Sequence, residues 1–140
     1  MALKKIQDTI SPDLRRRAAA AGDKRPHLLA MGTAVVSLGK LAFTDAGKRP
    51  TAWAPRKDAK KTHPLLMESG TLEGSLRVLT TSANQVTVGS DRPYAAIHQL
   101  GGEHIPARPY LPFYQSGQIT GLGKERVERA LRASLRSRGL

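Results

Sequence analysis

The stretch that decides the fold runs from Val86 to Phe113 and reads VTVGSDRPYAAIHQLGGEHIPARPYLPF. Val86 and Val88 alternate with polar neighbours, which is typical of a half-buried strand. Pro93 then stands where a helix can begin, because its fixed φ suits the first helical turn. Apolar residues at helical spacing follow as far as Gly101-Gly102, and such a glycine pair ends a helix. The order predicted is therefore a strand, a short helix and a glycine stop.

The same stretch closes with IPARPYLPF, residues 105–113, in which an apolar series alternates with other side chains. Three prolines exclude a helix here, and they cannot donate hydrogen bonds to a strand ladder. The sequence therefore predicts an edge strand or a partly unpaired extended segment.

A hairpin is predicted immediately before this stretch. Residues 76–81 and 85–89 have strand-like composition, and Ser82-Ala83-Asn84 is short enough for a hairpin loop. Leu76 and Val78 would share one buried face with the valines of the second strand. A short helical turn over residues 71–75 is expected to lead into this antiparallel pair.

The most regular predicted helix runs from Pro26 to about Asp45. Gly32 and Gly39 each weaken a helix by about 1 kcal/mol relative to Ala, or else they permit close approach of another part of the chain. An apolar stripe along one face indicates burial on a sheet and on a second partner. The stripe consists of Leu28, Met31, Val35, Leu38 and Ala42.

Positive charge is concentrated at the two ends of the chain. Lys and Arg number 23 against 11 Asp and Glu, for a formal net charge of +12. We divide the chain into a basic N-terminal helical arm (1–25), an α+β core domain (26–113), and a linker with a basic C-terminal helix (114–140). The predicted fold class is α+β, a small antiparallel sheet packed against a long helix, with basic helical N- and C-terminal flanks.

The arginines of the flanks are candidates for contact with DNA or an acidic protein, because clustered positive charge favours such partners. Solvation of helical faces is the ordinary alternative for any one of them. The C-terminal helix could also pack on its own sheet or on another subunit; with no aromatic anchor, a membrane is the partner least expected. The candidates are Arg15, Arg16, Arg17, Arg129, Arg132 and Arg136.

A basic, proline-punctuated segment over residues 48–61 carries the only tryptophan, Trp53. Such a segment could bind a nucleic-acid backbone and stack a base. Alternatively, Trp53 fills the core and the charges are solvated; we favour this interpretation.

No catalytic or metal constellation is apparent, so neither an enzyme nor a cofactor is predicted. The chain has no cysteine, and His98, Glu103 and His104 match no helical metal spacing. Ser37 to Lys40 satisfies Ser-x-x-Lys, but without the motifs that accompany it in penicillin-binding proteins. No apolar run is long enough to span a bilayer and the start lacks a signal-peptide core. We therefore expect a soluble protein that folds inside a cell.

Three motifs within residues 86–111 resemble those of the phage virion morphogenesis proteins, also called tail completion proteins. They are Val-x-Val-Gly, Tyr-Ala-x-Ile-His-Gln-x-Gly-Gly and Ile-Pro-Ala-Arg-Pro-aromatic-Leu. A Pro-x-x-aromatic-x-Pro segment at 50–55 and a leucine pair before Ser-Gly-x-Leu-x-x-Ser at 65–75 are further marks. The chain departs from the family pattern at residues 46–49, where the usual Asp-Gly turn is absent.

The resemblance implies an α+β virion protein, assembled in the host cytoplasm, that completes the tail and joins it to a DNA-filled head. It implies a homo-oligomeric ring, as a hexamer, at the tail–head junction, in contact with tail tube and connector proteins and with DNA in the channel. We expect subunit or partner contacts at Tyr94, His98, Pro106, Arg108, Pro109 and Tyr110. A free-standing, sequence-nonspecific nucleic-acid-binding protein is the alternative, and a small enzyme the third possibility.

Overall fold

The computed structural model describes residues 4–5, 11–55, 66 and 70–140. A single-turn 3-10 helix lies at Ala46–Lys48. In chain order the elements are β1 (Lys4–Lys5), α1 (Pro12–Ala19), α2 (Arg25–Leu41), α3 (Thr71–Ser75), β2 (Arg77–Thr81), β3 (Val86–Gly89), α4 (Ala95–Leu100) and α5 (Gly121–Ser137). The predicted α+β class is confirmed. The basic half of the Trp53 segment (56–61), His63, Leu65 and Ser69 fall outside the described residues.

The predicted hairpin is confirmed. β2 and β3 pair antiparallel with Val78 opposite Val88, and the register shifts between Val78 and Thr80. β1 pairs along the other side of β3, so the strand order is β1-β3-β2. Leu76, Val86 and Val88 are buried while Val78 is half-buried, which places one face of the sheet against the core.

Helix α2 lies on this sheet at very short range because it carries glycine at the crossing. A Cβ added to Gly32 would lie 2.7 Å from Cγ2 of Val86, and one added to Gly39 would lie 3.1 Å from Cδ2 of Leu111. The two glycines therefore permit close approach. α2 ends at Leu41, earlier than predicted, and Arg49 donates to the carbonyl oxygens of Ala42 and Phe43 just beyond its end.

The linker predicted within residues 114–140 is short and is anchored to the core. Ile119 forms an isolated bridge with Phe113 and is buried. The Oγ1 of Thr120 accepts a 3.0 Å hydrogen bond from the backbone N–H of Gly123, and α5 begins at Gly121. This N-cap satisfies one of the free donors at the start of the helix.

Both basic flanks pack into the same hydrophobic core as the sheet. Leu14 of α1 is buried in one cluster with three residues of α5, which are Val127, Leu131 and Leu135. On α2, Nδ1 of the buried His27 lies 2.7 Å from Oγ of Ser134. The packing therefore crosses the sequence boundaries that we placed at residues 25 and 113.

Candidate functional site

Gln99 of α4 holds the proline-rich segment in place. Its side chain is buried, and its Oε1 accepts hydrogen bonds from the backbone N–H groups of Tyr110 at 3.0 Å and Leu111 at 2.9 Å. Its Nε2 donates to the carbonyl oxygen of Leu111 at 3.4 Å. Prolines limit ladder formation in this segment, so one side-chain amide satisfies backbone groups that a neighbouring strand would otherwise satisfy.

Two further hydrogen bonds fasten the segment to α4. The backbone N–H of Arg108 donates to the carbonyl oxygen of His98 at 2.7 Å, and the hydroxyl of Tyr110 donates to the carbonyl oxygen of Ala95 at 2.8 Å. Tyr110 is fully buried, and burial raises the pKa of its hydroxyl well above the ordinary value. The phenol therefore remains a neutral donor throughout the physiological pH range.

Trp53 fastens the same segment from the opposite side. Its Nε1–H donates to the carbonyl oxygen of Pro109 at 2.8 Å, and its ring meets that of Phe43 edge-on at 6.0 Å between centroids. The guanidinium carbon of Arg49 lies 3.6 Å from the indole centroid, and burial lowers the pKa of Arg49. The prediction that Trp53 belongs to the core is confirmed. We call the contacts that Trp53, Gln99 and Tyr110 make to hold the proline-rich segment the clamp.

The clamp uses several of the residues predicted to meet another subunit. Pro109 and Tyr110 are buried inside the protomer, so in this structure their side chains are not free to contact another subunit. Residues 105–112 are assigned to no strand, as the predicted partly unpaired segment requires, and the alternation there did not separate buried from exposed side chains. Arg108 donates to the carbonyl oxygens of Ala54 at 3.1 Å and Pro55 at 3.0 Å, so its guanidinium is engaged within the chain.

His98 is half-buried beside Tyr94, with ring centroids 5.9 Å apart. Its Nδ1 is buried without a hydrogen-bond partner, and burial, with a smaller contribution from the charge of Arg108, lowers its pKa. The exposed His104 and Glu103 approach to 3.9 Å. Within the described ranges, no group of three or more potential metal ligands comes together.

The opposite side of α4 presents apolar side chains to solvent. We call Tyr94, Ile97, Leu100 and Ile105 the α4 patch; each is between 38% and 42% exposed. Gly102 lies between Ile97 and Ile105, because a Cβ added to it would lie 3.4 Å from Ile97 Cγ2 and 3.8 Å from Ile105 Cβ. Helical spacing located α4 correctly, but its buried residues are Ala95 and Gln99. Pro106 is half-buried near the patch.

The six arginines predicted to contact DNA or an acidic partner lie on two adjoining helices, α1 and α5. The backbone N–H of Ser11 donates to Oε1 of Glu128 at 3.0 Å, and Arg17 donates to the carbonyl oxygen of Leu140 at 3.1 Å. These contacts hold α1 along the C-terminal half of α5. All six arginines are exposed or half-exposed.

The family model for phage virion morphogenesis proteins matches residues 2–136. The chain therefore belongs to the phage virion morphogenesis family, whose members have a structural role in phage particles.

Two curated relatives are similar over most of their length. Mu-like prophage FluMu G protein 2 of Haemophilus influenzae is 33% identical over 109 residues, covering 73% of this chain and 75% of its own. The putative capsid assembly protein G of Escherichia phage Mu is 35% identical over 122 residues, covering 73% and 78%. No solved structure matches the chain. Across the part of the chain that is described, no helix is long and apolar enough to cross a bilayer.

Proposed function

We propose that this protein completes the phage tail and joins it to the DNA-filled head, acting as a ring of copies at the neck. Membership of the virion morphogenesis family supports the structural role. The motifs of residues 86–111, which resemble those of tail completion proteins, support the more specific one. The ring, with six copies as the resemblance implies, would contact tail tube and connector proteins.

The α4 patch is the observation that carries this proposal. Contiguous apolar side chains at the surface of a soluble protein mark an interaction site. Tyr94 and His98 are the only ionisable side chains in residues 93–102. An uncharged surface suits contact between copies that each carry a net charge of +12, because like charges at an interface would repel. In a closed ring, the patch of one copy would contact a different surface of the next.

A role in capsid assembly is the second candidate. The relative from phage Mu is named a putative capsid assembly protein. The same exposed patch would then dock on a capsid component, and head formation would fail when the protein is absent. Without the protein, the neck function predicts heads and tails that do not join, whereas the capsid-assembly function predicts that heads are missing.

We expect the double substitution Ile97→Glu/Leu100→Glu to abolish ring formation and tail joining, because two charges would be buried unpaired between copies. Light scattering of the purified protein, alone and with assembled tails, measures the ring. Electron microscopy of phage supplied with the variant measures joining. Leu29→Glu is the matched control, because Leu29 is 48% exposed on α2, outside the patch. Normal joining by the double variant would contradict the assignment of the patch.

A further inference from the structure

Two helices that pack side by side, α1 and α5, present arginines on their exposed surface. This surface combines the exposed or half-exposed arginines of α1 with those of the C-terminal part of α5 and with Arg138 just after that helix. We call it the basic surface; it comprises Arg15, Arg16, Arg17, Arg129, Arg132, Arg136 and Arg138.

Three of these arginines form a row along α5. Arg129, Arg132 and Arg136 are separated by three and four residues, which places them on one helical face. They line one shallow depression together with Glu125 and Ala133. At 1.5 Å per residue the row is about 10 Å long.

Two carboxylates face the three guanidinium groups of this row, and neither neutralises Arg136. Glu125 pairs with Arg129 at 2.9 Å in an exposed contact, and such pairs are weak. Glu128 is engaged with the backbone N–H of Ser11 and lies 3.7 Å from Arg132. Among the described residues Arg136 forms no ion pair. Asp13 lies 3.8 Å from Arg16 and 4.0 Å from Arg17, at the limit of an ion pair.

The composition of the basic surface favours a nucleic-acid backbone over an acidic protein. Protein interfaces are built around buried aromatic or aliphatic anchors. Helices α1 and α5 contain no aromatic residue. Of their large apolar side chains, Leu14, Val127, Leu131 and Leu135 are buried, and Leu122, at the start of α5, is half-buried. The absence of aromatic residues on these helices also disfavours single strands, which are held by stacking. Arginine matches phosphate through paired hydrogen bonds.

We propose that the basic surface binds the phosphate backbone of duplex DNA without reading its sequence, with Arg129, Arg132 and Arg136 as its central row. This inference goes beyond the neck role, because the surface exists in a single copy whether or not copies form a ring. Failure of either proposal therefore leaves the other standing.

The test is a titration of a short fluorescent DNA duplex with the full chain at several salt concentrations. Fluorescence anisotropy of the duplex measures binding. The logarithm of the binding constant should fall linearly with the logarithm of salt. In Arg129→Gln/Arg132→Gln/Arg136→Gln the slope should become shallower by about 3, and binding at low salt should weaken by about 100-fold or more. Binding should not depend on duplex sequence.

The matched control is Lys40→Gln/Arg77→Gln/Arg92→Gln, which removes the same number of positive charges away from α1 and α5. It should retain nearly all of the affinity, and thermal unfolding should be cooperative in both variants. Equal weakening by both variants would overturn the site, because net charge alone would then explain binding. Absence of duplex binding, together with tight binding to polyglutamate, would overturn the proposal in favour of an acidic protein partner.

Discussion

Replacing Gln99 by Met is expected to lower the free energy of unfolding by about 2–6 kcal/mol, because two buried backbone N–H groups lose their acceptor and each costs about 1–3 kcal/mol. Those groups belong to Tyr110 and Leu111, and both residues are fully buried, so water cannot replace the amide oxygen. Methionine conserves the length of the side chain, which separates lost hydrogen bonding from a cavity. Urea unfolding followed by tryptophan fluorescence provides the measurement.

Gln85→Met is the matched control for this prediction. Gln85 is exposed in the hairpin loop, and a surface substitution of this kind changes stability by no more than about 0.5 kcal/mol. If Gln99→Met were as stable as the control, the segment would be held by packing alone, and the clamp would lose its central member.

The substitution Gly32→Leu is expected to destabilise the fold by about 3 kcal/mol or more, because overpacking a close contact forces side chains or backbone to shift. The new Cβ alone would lie 2.7 Å from Val86 Cγ2 and 3.2 Å from Val78 Cγ2. Leucine favours a helix over glycine by about 1 kcal/mol, which is too small to compensate for this overpacking. The midpoint and slope of chemical unfolding measure the effect.

Gly74→Leu tests whether the loss at Gly32 comes from the contact or from glycine itself. Gly74 also lies in a helix, and a Cβ there would meet nothing within 4 Å. This variant should be neutral or slightly more stable. Equal destabilisation at both positions would show that the separation of α2 from the sheet is not set by Gly32.

Local patterns predicted most elements of this fold, but not β1, because Lys4 and Lys5 form a strand within the arm (1–25) that was predicted to be helical. Alternation and turn composition gave the hairpin of β2 and β3, and helical spacing gave α2 and α4. Periodicity did not give the orientation of α4, because Ile97 and Leu100 have the spacing of core residues while Gln99 occupies the core. Burying a glutamine costs free energy unless its amide finds hydrogen-bond partners. The partners of Gln99 are backbone groups eleven and twelve residues further along the chain, so local sequence does not reveal them.

Two of the residues predicted to contact another subunit, Pro109 and Tyr110, are buried in the interior of their own protomer. Nothing local to residues 105–113 indicates that Trp53, more than fifty residues earlier, donates a hydrogen bond to this segment. Tyr110 therefore looked like an exposed aromatic in an edge segment. By contrast, Tyr94 is exposed, and the arginines of α1 and α5 lie at the surface.

The clamp and the α4 patch are two sides of one element. Gln99 and the carbonyl oxygens of Ala95 and His98 bind the proline segment on the inner side of α4. Ile97 and Leu100 face solvent on the outer side. The clamp therefore fixes the position of the patch on the core.

Electron microscopy of the parent phage with and without this chain tests the proposed neck function most directly. The proposal predicts that particles made without it accumulate as DNA-filled heads and separate tails, and that the purified protein restores joined virions when added to the two. Joined, infectious virions in its absence would contradict the proposal. A lack of heads with normal tails would contradict it in favour of capsid assembly.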